Sequence, residues 1–123
     1  DAAGNNSIAT SFVAGGSAKA WVFYNASQQI QDSFSSSSVT DRAAGRHTIN
    51  ISSPMVNATY TVAGQGSWRD SASDANTLQL TFERINTVAI TTTACPVQTS
   101  YYGSVGNLAD AAATTANIHG DLA

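Results

Sequence analysis

GGSAKAWVFYN (residues 15–25) holds, from Ala20 to Tyr24, five successive nonpolar or aromatic residues in a chain that is 42% hydrophobic and rich in Ser, Thr, Asn and Ala. Read with the period of an extended chain, Trp21 and Phe23 project to one side and Val22 and Tyr24 to the other. A strand that is apolar on both faces needs cover on both. One face belongs to the protein core; the other calls for a loop or a neighbouring subunit.

The same two-residue period continues outward from this stretch. HTINIS (47–52) puts Ile49 and Ile51 on one face, and TLQLTFER (77–84) puts Leu78, Leu80 and Phe82 opposite Thr77, Gln79, Thr81 and Glu83. Short apolar runs of this kind fall at 8–13, 19–25, 29–40, 46–52, 58–64, 77–84, 86–93, 97–102 and 113–119, with 29–40 readable as one bent strand or two short ones. DRAAGR (41–46) suits a hairpin loop with Gly45 in a left-handed conformation, and Pro54 ends the strand before it. The alanines of SVGNLADAAATTAN (104–117) favour a helix, but Gly106 and the Thr114–Thr115 pair argue for a turn and a final strand. The expected fold is therefore all-β: an antiparallel β-sandwich, jelly-roll-like, of about seven to nine short strands. Its domain is expected over 15–123, with residues 1–14 as an N-terminal arm or linker.

Composition narrows the function. The 123 residues suit one domain that closes a core without staples, and only 11% are charged, so Ser, Thr, Asn and Gln supply the polar surface. The net charge is −3, and the five basic residues (Lys19, Arg42, Arg46, Arg69 and Arg84) are scattered singly. Nucleic acid is not an expected partner, because no cluster exists to neutralise several phosphates. No apolar run approaches the ~18 residues of a membrane span, so membrane insertion is not expected either. DAAGNNSIATSF (1–12) lacks the charged and apolar regions of a signal peptide, and a start on Asp1 reads as a processed product or a piece of a longer chain.

Catalytic and metal chemistry finds little to work with. There is no GxSxG, HExxH or P-loop, and the eight acidic residues form no motif that pairs two carboxylates, so the expectation is a non-enzyme with no cofactor. Cys95 is single and reads as a small buried or half-buried thiol. His47 and His119 read as surface or hydrogen-bonded structural histidines, a metal needing several copies to meet at an axis. Asp70 and Asp74 lack the glycine and distal Glu of an EF-hand and read as solvated loop carboxylates. The sequons at Asn5, Asn25, Asn50 and Asn57 arise readily in so polar a chain.

Four residues stand out as a contact surface: Trp68 and Arg69 in the polar segment GQGSWRDSASDAN (64–76), with Tyr101 and Tyr102. A large aromatic in a polar loop packs under that loop or stacks on a ligand such as a sugar ring. Trp21 is expected in the core, and Trp21, Phe23 and Tyr24 together are assigned to core or inter-subunit packing.

The series SFVAGGSAKAWVFYN, IQDSFSSSSVTDRAAGRHTINIS, MVNATYTVAGQGS and ANIHGD resembles a C-terminal module of tailed-bacteriophage tail-fibre and head-fibre proteins. The likeness rests on Lys19, Ala20, Trp21 and Val22; on Asp32, Ser33, Phe34, Ser37, Val39, Thr40 and Asp41; on Gly45, Thr48 and Ile49; on Tyr60, Val62 and Gly64; and on Ile118, His119, Gly120 and Asp121. FYNAS (23–27) and CPVQTSYYG (95–103) depart from its pattern. The resemblance implies a non-catalytic virion surface module, a homotrimer that covers the outer face of 20–24, joined to a fibre stem or capsid and binding a host surface glycan or protein. A capsid decoration (cement) protein or a head fibre stabilising the capsid lattice is the alternative, with 1–14 as its attachment arm.

Overall fold

The structure, a computed structural model, describes residues 10–67, 77–83, 88–101 and 107–123. A short helix, α1 (Thr10–Gly16), precedes eight strands: β1 (Ala20–Asn25), β2 (Ile30–Phe34), β3 (Ser36–Ala43), β4 (Arg46–Ile51), β5 (Thr61–Ser67), β6 (Thr77–Phe82), β7 (Ala94–Tyr101) and β8 (Ala113–His119). All pair antiparallel in one sheet of order β2-β1-β8-β5-β6-β7-β4-β3. The fold is all-β, with a strand count inside the expected range.

The sheet curls so that its two halves face each other. Tyr24 on β1 and His47 on β4 stand five places apart in the strand order, yet their rings meet edge to face at 5.5 Å. Between the halves lies one core, built from alternate residues: Ala20, Val22 and Tyr24 of β1, Ile49 and Ile51 of β4, Cys95 and Val97 of β7, and Ala116 and Ile118 of β8. Met55 and Tyr60 close it at one side. The Tyr60 hydroxyl sits between the carbonyls of Thr91 (3.0 Å) and Ala94 (2.8 Å), and its ring meets Phe82 edge to face.

The run 29–40 is two strands. Ser35, at φ 53°, separates β2 from β3, so the chain passes directly from one end of the strand order to the other. Gly45 has φ 67° in the β3–β4 hairpin, the left-handed position that a residue without Cβ adopts at no steric cost.

Two local expectations are corrected. Residues 10–13, read as part of a strand over 8–13, belong instead to α1, whose last turn is held by the Lys19 ammonium on the Ala14 carbonyl and on Ser17 Oγ at 3.0 Å. Residues 88–93, part of the run 86–93, are not a strand; they form a connection in which Thr91 Oγ1 accepts the amides of Thr93 (3.3 Å) and Ala94 (3.0 Å).

Candidate functional site

Of the four residues singled out as a contact surface, Trp68, Arg69 and Tyr102 lie outside the described residues, as do Asp70 and Asp74. Tyr101 ends β7, half-buried, its backbone opposite Leu78 and its amide donating to the Asn107 carbonyl at 3.1 Å. Their convergence is therefore not among the described geometry.

Strand β1 answers the question posed by residues 20–24. Tyr24 is fully buried, but Trp21 is half-buried on the outward face beside Phe23, which is 38% exposed. Trp21 thus leaves the core position expected of it. The reason is parity: Ala20, Val22 and Tyr24 fill the inner face, and a two-residue period sends Trp21 outward.

The pairing of β1 with β2 then adds a residue that no single-strand reading reveals. Trp21 stands opposite Phe34, which is 55% exposed, and Phe23 stands opposite Asp32. On the other flank Trp21 is opposite Asn117 and Phe23 opposite Thr115, and these in turn are opposite Ala63 and Gln65 of β5. The outer face of β2-β1-β8-β5 is thus aromatic over two strands and amide- and hydroxyl-bearing over the next two. Asp32 is the one charged group among these eight positions, and its Oδ1 accepts the Ser33 amide at 2.9 Å.

A second cluster was also illegible in the sequence. His47, 1% exposed, lies with Nδ1 3.1 Å from the Tyr24 hydroxyl and Nε2 3.1 Å from Asp110 Oδ1. Asp110 Oδ1 also accepts the Gly45 amide at 2.6 Å, and the Gln28 side-chain amide sits 3.1 Å from the same ring nitrogen. The Asp110 carboxylate can only accept and favours a proton on Nε2, leaving Nδ1 to accept from Tyr24, while the Gln28 amide nitrogen donates to the Ala26 carbonyl at 2.7 Å. Burial pushes the pKa of the Tyr24 hydroxyl above its ordinary value, keeping it a neutral donor. Nearby, Glu83, 1% exposed, takes a hydrogen bond from Arg42 Nη2, which also donates to the His47 carbonyl at 2.9 Å, while Arg46 Nε lies 3.8 Å from Glu83 Oε1. These groups tie the turn after β1, the β3–β4 hairpin and the segment before β8 together at one end of the core. With the ring and phenol both sealed, the cluster acts as a structural clamp.

His47 is thus a hydrogen-bonded structural histidine and Cys95 a buried thiol, as expected. Burial pushes the Cys95 thiol up to about 12. Among the described residues no group of three or more His, Cys, Asp or Glu side chains is placed to hold a metal. A cleft of about 430 Å³ lies at the start of β1, lined by Ala14, Gly15, Lys19, Asp121 and Leu122.

No protein-family model matches the chain, and neither does any curated protein or solved structure.

Proposed function

We propose that this chain is a binding module of the bacteriophage virion surface, acting by attachment to a host surface and not by catalysis. The observation that carries the reading is the outer face of β1 and β2, where Trp21, Phe23 and Phe34 stand in register on a rigid sheet. Exposed aromatics grouped on a sheet, in place of single scattered ones, mark an interaction surface. The motif series that resembles phage fibre modules supports the same reading, and Trp21 and Phe34 both belong to it. Self-association as a homotrimer, through a surface other than this face, and attachment to a fibre stem are part of this proposal.

The second reading is a capsid decoration protein. That reading takes residues 1–14 as the arm that would seat the module on a larger particle.

Adsorption of the fluorescently labelled chain to a panel of intact Gram-negative and Gram-positive cells tests the proposal. Saturable adsorption to some cells and not others is the expected result; uniform absence of adsorption contradicts the fibre reading and leaves decoration to be tested on capsids.

A further inference from the structure

We infer that the outer face of β2-β1-β8-β5 binds an uncharged glycan, whose sugar rings stack on Trp21, Phe23 and Phe34 while their hydroxyls bond to Asp32, Thr115, Asn117 and Gln65. The inference rests on the attachment reading above and names its ligand class and surface.

Charge decides among ligand classes. A nucleic acid or an anionic membrane needs Lys or Arg, and among the eight positions from Phe34 to Gln65 the single charge is the carboxylate of Asp32, in a chain of net charge −3. An acidic polysaccharide is repelled for the same reason. A neutral sugar is complementary: its C–H faces pack on aromatic rings, and its hydroxyls are donors and acceptors that match carboxylate, amide and hydroxyl side chains.

Area decides between a glycan and a second copy of the chain. Four strands spaced about 4.8 Å apart, with these two outward residues on each repeating about every 6.8 Å, make a footprint of about 260 Å². A stable protein partner needs about 800 Å² on each side. The aromatic part is smaller still, two strands wide, the size of a stacking platform. The arrangement is also graded in the way a sugar chain requires. Trp21 and Phe34 form one cross-strand row and Phe23 begins the next, so rings laid across the strands meet an aromatic at one end and Asn117, Thr115 and Gln65 at the other.

The test is affinity electrophoresis of the purified chain in native gels cast with dextran, mannan, galactan or hydroxyethylcellulose, and with polygalacturonate as the acidic control. Phe23 and Phe34 are exposed enough for the double variant F23S/F34S to fold, which circular dichroism checks. Retardation of the wild-type chain by at least one neutral polymer and not by polygalacturonate, weakened about tenfold or more in the double variant, is the expected result. Equal retardation of both proteins places the glycan elsewhere and overturns the inference. So does a wild-type oligomer that the double variant reduces to monomers, which assigns the face to a second copy. Retardation by none of the neutral polymers overturns it too, and if the chain still adsorbs to cells the attachment reading survives without it.

Discussion

Glu83 is buried to 1% exposure, with Arg42 and Arg46 flanking its carboxylate. A buried carboxylate whose cation is removed costs about 3–5 kcal/mol, so Arg42→Met lowers the stability of the fold by that order in urea unfolding, while Arg46→Met, farther away and more exposed, costs less than about 1 kcal/mol. Asp110→Ala strips one acceptor from both the Gly45 amide and His47 and costs about 1–3 kcal/mol. Cys95 gives a pH dependence. Its folded pKa, raised by burial to about 12 from an ordinary 9.0, exceeds that of the unfolded chain, so its contribution is complete below pH 9 and is lost as pH rises toward 12. Burial raises Tyr24 and Tyr60 in the same direction. Stability therefore falls above about pH 9 through Cys95 and above about pH 10 through the two tyrosines, by up to about 1.4 kcal/mol per pH unit for each group, and urea midpoints across that range measure it. None of these residue pairs was legible beforehand. His47 was read only as surface or hydrogen-bonded, because Asp110 and Gln28 lie 63 and 19 residues away and meet it through sheet register alone.

At the scale of elements, β8 is the keystone: the last strand in the sequence lies between β1 and β5, pairing with β5 along its whole length and with β1 from Ala113 to Ile118. Removing residues 113–123 leaves β1 and β5 without their common partner and is expected to abolish the cooperative unfolding transition. The fit between β5 and β8 is equally close. A Cβ on Gly64 would lie 2.0 Å from the Thr115 carbonyl oxygen, so Gly64→Ala forces the two backbones apart and costs about 1–3 kcal/mol or more, read as a drop in melting temperature. Strands were the most legible feature. HTINIS and TLQLTFER alternate because one face is dry, and β8 was recognised over a helix because Gly106 and the Thr114–Thr115 pair outweighed the alanines. Residues 10–13 were misread because an apolar run that short carries no decisive period, and 88–93 because its threonines bond their own backbone and not a neighbouring strand.

At the scale of the whole molecule, the all-β class follows from many two-residue periods separated by turn residues, but the strand order does not. It depends on which edges meet, and the link at Ser35 that carries the chain from β2 to β3 shows no motif. The site was legible in part. Trp21 and Phe23 were marked for their apolar character, yet the pairing with Phe34 and the ladder through Asn117, Thr115 and Gln65 exist only once β1 has neighbours. The central claim is that this face makes the functional contact. Its most direct test compares adsorption of the wild-type chain and the F23S/F34S variant to the same panel of intact cells, with urea midpoints measured in parallel. Loss of adsorption by about tenfold or more at unchanged stability is the predicted result; equal adsorption by the two proteins contradicts it.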